Sequence, residues 1–503
     1  MKTTFTVSLQ RTALAFASVM LASVAQAQWS ADPANNLIVS DVTGGSTQPK
    51  IVAAPDGGFY VSWFSDTGGY DIHLQKLDAG GNALWAQGGV LVTDRVYDFT
   101  YDYGLSVDAA GNAYLSFNCC ENNSTAEHIV VSKVTPLGTL SWGADGITIS
   151  TPASTESVYN AYVTATTDGN VVVAWSADSG IRAQKLDATG TVLWVANGVL
   201  LNQPSGVKLL GDVEPGLNGD AIASWSNQSG ATRILRAQKL ASVDGTAMWN
   251  KGSAVRVFGE GNLQAGYFPP FVPDGAGGGV FWDYDASGVS FNARVQHLDA
   301  TGAPLLDANG VLATTDTANQ HTDTAAAYDP ASGSIYVTWR DTFTDNGGHD
   351  FDGVTAQRID ASGARLWTDS GKILVPLTDS TNSTNSISQM TAVRVSDGVF
   401  AGWTTGAIPA ADQPISIAHL DADGNAAFAT QTVAIKTTGY TGRTVGTVGT
   451  GGFAVYAWQD GDDGAATSTI RAQNINLDGT LGAPANDIIF SNGFESPLHA
   501  ANR

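Results

Sequence analysis

Short apolar runs that end in an aromatic side chain recur along this chain at regular intervals. Each run is four to six residues long and is followed by a cluster of Gly, Asp, Ser, Thr or Asn. Apolar runs between turn-forming residues are typical of β-strands. The aromatic residues that end the runs are Trp63, Phe117, Trp175, Trp225, Trp282, Trp339, Trp403 and Trp458. Further short apolar runs lie between them, so the pattern predicts a unit of four strands repeated eight times.

This pattern predicts an all-β fold, an eight-bladed β-propeller of four-stranded blades, because four-stranded units repeated in a row form the blades of a ring. A linear solenoid is the alternative, but its usual periods are shorter. Two segments could supply the strand that closes the ring. One is 35–42 (NNLIVSDV), which would complete the blade that begins near Thr444, and the other is the run APANDIIFS near the C terminus. We expect the first.

One phrase is repeated in most units, for example at 75–89, 184–198 and 357–371 (QKLDAGGNALWAQGG, QKLDATGTVLWVANG and QRIDASGARLWTDSG). Its Asp can bond the backbone amides of a turn, its Gly tolerates positive φ, and its Trp is expected to pack between blades. These residues are therefore predicted to be structural. His297 and His419 occupy the Lys position of the phrase, where we expect surface substitutions.

These motifs resemble those of secreted bacterial β-propeller repeat proteins with Q-K-L-D-x-x-G-x-x-L-W-x-x-x-G units. The resemblance covers residues from about 50 to 480. It implies the propeller fold and an extracellular setting, and it implies no particular activity. The end of the chain, DIIFSNGFES (487–496), also resembles a short tail of exported proteins in some Gram-negative bacteria.

The N terminus reads as a secretory signal peptide. Lys2 and Arg11 precede an apolar run, and Ala25-Gln26-Ala27 is a small-x-small cleavage site. We predict a signal peptide at 1–27, a propeller at 28–484 and a C-terminal tail with a sorting motif at 485–503. The protein is then exported, to the periplasm, the outer surface or the medium, and no later segment has the length of a transmembrane helix. With a net charge of −23 it is a poor partner for nucleic acid, and we expect a monomer.

The loops after the second strand of each blade and the links between blades share one face of a propeller, and here they are acidic and aromatic. Carboxylates and exposed rings suit sugar binding, because rings stack on sugar faces. The predicted ligand-binding residues are Asp66, Asp71, Tyr97, Tyr101, Tyr103, Asp178, Tyr267, Phe268 and Asp460. The alternative interpretation is that these are solvated hairpin tips.

Two of these loops are also candidate calcium sites, because carboxylate oxygens are the ligands that Ca²⁺ prefers. The first begins D-x-D-x-S-G with Asp283, Asp285 and Ser287, although Arg294 stands where an EF-hand needs Glu. The second loop contains Asp341, Asp345, Asp350 and Asp352.

Cys119 and Cys120 are adjacent and are the only cysteines of the chain. In an oxidising compartment each has no other partner within the chain, which favours a disulfide between neighbours. A pair of thiols and an intermolecular bridge remain alternatives.

No catalytic motif stands out, since the chain lacks H-E-x-x-H, G-x-S-x-G and a Walker loop. We therefore expect an exported, non-catalytic binding module whose ligand is a glycan or a cell-surface partner. One alternative is a propeller enzyme, either a carbohydrate-active hydrolase or lyase or, more remotely, a quinoprotein dehydrogenase. Another is a structural component of a surface layer or adhesin.

Overall fold

The computed structural model confirms the eight-bladed β-propeller. It describes residues 28–40, 44–66, 69–95, 101–120, 127–151, 156–201, 204–288, 290–407, 411–461 and 467–483. The predicted signal peptide and the whole of the predicted tail lie outside these ranges. The strands form eight antiparallel sheets of four strands each, one sheet per blade.

The N-terminal strand β1 (Leu37–Ile38) belongs to the last blade. Blade 1 contains β2 (Gly45–Ala53), β3 (Phe59–Asp66), β4 (Tyr70–Leu77) and β5 (Val90–Thr93). Blade 2 contains β6 (Gly104–Val107), β7 (Ala113–Cys120), β8 (Glu127–Val134) and β9 (Ile147–Thr148). Blade 3 contains β10 (Val158–Ala165), β11 (Val171–Ala177), β12 (Gly180–Leu186) and β13 (Val199–Leu200). Blade 4 contains β14 (Val207–Pro215), β15 (Ala221–Ser229), β16 (Thr232–Leu240) and β17 (Val255–Arg256).

Blade 5 contains β18 (Phe271–Pro273), β19 (Gly279–Asp285), β20 (Asn292–Leu298) and β21 (Val311–Leu312). Blade 6 contains β22 (Gln320–Asp329), β23 (Ser334–Thr344), β24 (Asp350–Ile359) and β25 (Lys372–Asp379). Blade 7 contains β26 (Ile387–Val395), β27 (Gly398–Thr405), β28 (Ile415–Asp421) and β29 (Val433–Lys436). Blade 8 contains β30 (Thr441–Val448), β31 (Ala454–Asp460) and β32 (Thr469–Ile475), and β1 pairs antiparallel with β32 to complete it.

The first strand of each blade lines a central channel. We call the face that carries the links between blades and the loops between second and third strands the upper face. The turns between first and second strands lie on the lower face. The described residues contain two 3-10 helices of three and four residues, and no helix among them has the length and hydrophobicity of a membrane span.

The aromatic residues that end the second strands are buried between blades. Trp175, Trp225 and Trp458 are 0 % exposed, and each packs against apolar residues of a neighbouring blade. The residue before each aromatic pairs with the innermost strand, for example Ser62 with Lys50. Small residues at this position allow the innermost strand to lie close, where the blades crowd towards the axis.

The repeated phrase joins each blade to the next. The indole Nε1 of Trp249 donates to the carbonyl oxygen of Ala300 in the following blade at 3.0 Å, and Trp367 does the same to Ala422 at 3.0 Å. The Gly of the receiving turn has positive φ, and a Cβ on Gly302 would lie 2.7 Å from the Trp249 ring. Gly is thus required twice, once for its backbone conformation and once for the space that the indole fills.

His297 and His419 correct a sequence prediction, because both are buried, at 8 % and 1 % exposure. The Lys position of the phrase points inward, towards an Asp of the lower turn of the same blade, as Lys185 does to Asp168 at 2.6 Å. Each histidine makes the equivalent contact, His297 with Asp274 at 3.0 Å and His419 with Asp397 at 3.1 Å. The position therefore selects for a side chain that can bond the turn carboxylate, and it is not a surface position.

Candidate functional site

The upper face carries part of the predicted ligand-binding set. Asp66 and Asp178 are exposed, and Tyr101 is half-buried with its ring centroid 5.5 Å from that of Tyr159. Burial raises the pKa of Tyr101, and Glu127 and Asp178 raise it further. The structure therefore brings Tyr101 and Asp178 together at the seam between blades 2 and 3.

Other members of the set have structural partners. Tyr103 is wholly buried, and its hydroxyl contacts Ser62 at 2.9 Å. Asp71 is buried too and accepts a hydrogen bond from the Arg95 backbone amide at 2.7 Å. Their assignment to an open binding face was wrong, because both side chains turn into the interior of the blades.

The remaining three described members lie in or beside the loops. The Asp460 carboxylate forms ion pairs with Lys436 at 3.0 Å and with Arg471 at 2.7 Å. Tyr267 and Phe268 are half-buried in the link to blade 5, where Tyr267 stacks on Tyr284 at 4.4 Å. Tyr97 lies outside the described residues.

The predicted calcium loops contain arginines and hydrogen-bond donors where the cation was expected. Arg294 contacts both oxygens of Asp283, at 2.6 and 3.0 Å, and Arg340 contacts both oxygens of Asp352, at 2.8 and 3.0 Å. Asp341 is held by His321 at 2.7 Å. The other four also have hydrogen-bond partners: the Ser287 hydroxyl donates to Asp285, Asp345 contacts His349, and the Thr344 hydroxyl donates to Asp350.

These carboxylates do not converge. Among the described residues, no three His, Cys, Asp or Glu side chains form a group that could hold a metal ion. We therefore correct the prediction and place no calcium ligand set at Asp283 or Asp341. The sequence pattern was misleading because it does not reveal that Arg294 and Arg340 neutralise Asp283 and Asp352.

The adjacent cysteines lie at the end of β7, where Cys119 pairs with His128 and Cys120 with Glu127 across the strands. The side chain of Cys120 lies outside the described part of the structure. The disulfide between them therefore stays a prediction.

A cluster of ionisable side chains in the channel is the feature that motif reading missed. It consists of Lys50, Asp102, Tyr162, Asp212 and Glu214, from blades 1 to 4, and we call it the channel cluster. Lys50 Nζ lies 2.9 Å from one oxygen of Asp102, and the Tyr162 hydroxyl donates to the other at 2.6 Å. The Lys50 ammonium also lies over two aromatic rings, 5.2 Å from the centroid of Tyr103 and 5.3 Å from the centroid of Tyr162.

Asp102 is held in its ionised form. Its side chain keeps 45 % of its surface open to the channel, yet protein surrounds it, so burial by itself opposes the charge. Lys50 and the hydrogen bonds from Tyr162 and the Tyr103 amide outweigh burial and lower the pKa of Asp102 below its usual range. Burial and the nearby Asp102 carboxylate raise the pKa of Tyr162 well above its usual value, so its hydroxyl keeps its proton.

Asp212 and Glu214, unlike Asp102, favour their protonated forms. They stand two residues apart on β14, and residues i and i+2 of a strand point to the same side. Burial raises the pKa of Asp212 to about 7, although the Val213 amide donates to it at 2.8 Å. Burial and the Asp212 carboxylate raise the pKa of Glu214 well above its usual value. At neutral pH the pair therefore retains a proton, because two carboxylates so placed cannot both ionise readily.

The upper mouth of the channel is surrounded by polar residues in an unusual backbone conformation. In five blades the same register position, within a β-bulge of the innermost strand, has φ between 47° and 55° without being glycine. These residues are Gln48, Asn160, Asp323, Gln389 and Arg443. Asp102 stands at the equivalent position of blade 2. Positive φ costs of order 1 kcal/mol or more for such residues, and such strain is concentrated at functional sites.

The sequence contains a signal for this site. Charged residues such as Lys50, Asp212 and Glu214 interrupt the sequences of β2 and β14, where apolar or small residues are expected. Five residues spread from position 50 to 214 on four blades have no fixed spacing, so no motif search connects them.

Comparison with known proteins gives the fold alone. No family model matches the chain, and no curated protein matches its sequence. Among solved structures, an ulvan lyase of polysaccharide lyase family PL25 is 11 % identical, with 91 % of this chain and 96 % of that chain covered and a TM-score of 0.46. An α-L-arabinofuranosidase from Fusarium graminearum is 10 % identical, with coverage of 88 % and 98 % and a TM-score of 0.39. A protein of unknown function from Dyadobacter fermentans is 9 % identical, with coverage of 87 % and 96 % and a TM-score of 0.37.

Proposed function

We propose that this protein is a carbohydrate-active enzyme that hydrolyses glycosidic bonds in its central channel. One observation supports this most directly. The channel cluster contains an ionised carboxylate, Asp102, and a carboxyl pair that keeps a proton at neutral pH, Asp212 and Glu214. Environments that move the pKa values of neighbouring acids apart are how one site provides both an acid and a base.

The proposed roles follow from these protonation states. Glu214 is the general acid, since its carboxyl group is protonated and makes no hydrogen bond among the described contacts, and Asp212 keeps that proton in place by like-charge repulsion. Its proton goes to the glycosidic oxygen as the carbon–oxygen bond breaks. Asp102 accepts a proton from the water that adds to the sugar carbon. Lys50 and Tyr162 keep Asp102 ionised and fix its orientation.

A sugar is the proposed substrate because of the surroundings of the upper mouth. The rings of Tyr101 and Tyr159 are half-buried at the seam beside blade 3, where a sugar face could stack on them. The polar bulge residues around the mouth offer donors and acceptors for hydroxyl groups. The export expected from the N-terminal sequence agrees with a polysaccharide substrate outside the cell.

The test measures release of reducing ends from a panel of neutral and acidic polysaccharides. We expect turnover of at least one by the mature protein, and a loss of about 10²–10⁴-fold in Glu214→Gln and in Asp102→Asn. Asp244→Asn, at an exposed turn outside the channel, is the matched control. Glycan binding without turnover would instead support the non-catalytic module. The absence of both binding and turnover would reject a carbohydrate function.

A further inference from the structure

The lower half of the channel contains a second feature that the proposed hydrolysis does not use. A cavity of about 630 Å³ lies among the innermost strands and lower turns of blades 5 to 8. The channel cluster, in contrast, comes from blades 1 to 4. Cavities of 300–1,000 Å³ are the size of sites for small organic molecules. We call this space the lower cavity.

The wall of the lower cavity is apolar and made of small residues. Its central part is formed by Val272, Ala326, Ala327, Ala392, Val393 and Gly446. Asp274 also lines it, but its carboxylate is bound by His297 at 3.0 Å and by the amides of Ala276 and Gly278. The cavity therefore favours an apolar body and provides little that would bind a cation.

Arg394 is the cationic side chain at the edge of this cavity. Its Nη2 donates to Asp329 at 2.7 Å, and 36 % of its side chain remains exposed. The exposed part of this guanidinium has N–H groups that can donate to a ligand in the cavity, and hydrogen bonds from a charged donor are stronger than those between neutral groups.

The charge of Arg394 is already compensated. Asp329 forms the ion pair with it, and Ser332 and the Ala331 amide hold that carboxylate in place. An anionic ligand would meet a neutral pair inside a protein of net charge −23. A neutral acceptor meets no such repulsion.

We propose that the lower cavity binds a neutral small molecule that combines an apolar body with a carbonyl oxygen. The carbonyl accepts a hydrogen bond from the Arg394 guanidinium, and the apolar body lies against Ala326, Ala392 and Val393. The site is separate from the channel cluster and does not depend on the proposed hydrolysis.

The experiment is calorimetric titration of the mature protein with two isosteric probes, cyclohexanecarboxamide and cyclohexanecarboxylate. We expect the neutral amide to bind with a dissociation constant on the order of 1 mM, as its few heavy atoms allow. The carboxylate should bind at least about 5-fold more weakly, which corresponds to the penalty of roughly 1 kcal/mol for an unfavourable charge.

Three variants locate the site. Ala392→Leu fills part of the cavity and should abolish measurable binding, and Arg394→Gln should weaken it at least about 5-fold. Arg365→Gln, at the outer rim of blade 6, is the matched control and should bind as the wild type does. Melting temperatures of all variants verify that they fold.

Three results would overturn the proposal: no amide binding to the wild-type protein at 20-fold the expected dissociation constant, stronger binding of the carboxylate, or unchanged binding in a folded Ala392→Leu variant. Glu214→Gln should bind the amide normally. Failure of the hydrolysis proposal would therefore leave this result unaffected.

Discussion

The indole Nε1 of Trp29 donates a hydrogen bond to the carbonyl oxygen of Ala79 at 2.8 Å, across the seam where the first and last blades meet. A Cβ on Gly81 would lie 2.6 Å from the same indole. These are the contacts that Trp249 and Trp367 make with the blade that follows each of them. Blade 8 has no Trp in its own repeat phrase, because Ala483 stands ten residues after Gln473. The N-terminal segment therefore contributes to blade 8 both the closing strand β1 and the tryptophan that packs against the next blade.

Replacing Trp29 by Ala should consequently destabilise the whole ring. The side chain is 4 % exposed, and loss of a buried Trp costs about 3–5 kcal/mol. Denaturant unfolding measures the change, with Trp249→Ala as the comparison because it removes the same contact at an internal seam. The control is Leu137→Ala, at a side chain that is 88 % exposed. A cost below about 1 kcal/mol for Trp29→Ala would contradict its role as the closing residue.

The repeated parts of this fold could be predicted from the sequence, and the site could not. Asp187, Gly190 and Trp194 recur at fixed spacing, so their structural roles follow from local turn chemistry. The channel cluster depends on which side chains of different blades meet at the axis. Tyr162 reaches Asp102 although 60 residues separate them, and this contact depends on the ring geometry alone.

The buried histidine of blade 6 gives a pH-dependent prediction. Burial opposes the charge of His321, but the hydrogen bonds to Asp341 at 2.7 Å and to the Asp316 carbonyl outweigh it and raise its pKa. A raised His pKa stabilises the fold at low pH, and this contribution is lost as pH rises through the folded value. His321→Gln should cost about 1.5–3 kcal/mol at pH 6 and less at pH 9, since it removes a charged donor from Asp341, to which Trp339 and Thr355 still donate.

Unfolding free energies of wild type and variant at the two pH values test this. His349→Gln is the matched control, because that histidine lies in an exposed hairpin tip. An equal cost of His321→Gln at pH 6 and pH 9 would show that the charged form of His321 adds nothing to the stability.

The aromatic pair at the upper mouth should act in substrate binding. Tyr101 and Tyr159 lie beside the channel mouth, with their ring centroids 5.5 Å apart. Tyr159→Ala should therefore raise KM about 5-fold or more at nearly unchanged kcat, as loss of uniform binding does. Tyr440→Ala, in the link to blade 8, is the control. A fall in kcat with unchanged KM would assign Tyr159 to the chemical step instead.

The Asp212 carboxyl should weaken the fold as pH rises. Its pKa of about 7 in the fold exceeds the value of about 4 in an unfolded chain. The unfolded state therefore loses its proton first, and the contribution to stability falls between pH ~4 and ~7. The difference between the folded and unfolded pKa values corresponds to about 4 kcal/mol in the free energy of unfolding. Because the channel is open to solvent, we expect roughly 2 kcal/mol. Asp212→Asn should remove this dependence and be more stable than the wild type at pH 8, as measured by chemical unfolding.

The pH profile of cleavage tests how Asp212 and Glu214 interact. Activity requires the protonated Glu214 carboxyl, so kcat should fall as pH rises through the raised pKa of Glu214. In Asp212→Asn the repulsion that raises the pKa of Glu214 is gone, and Glu214 loses its proton more easily. The alkaline limb of the profile should therefore move to lower pH in this variant, while in Asp244→Asn it stays in place. Movement to higher pH, or an unchanged limb, would mean that Glu214 does not donate the proton, and the acid would then have to be another group of the channel.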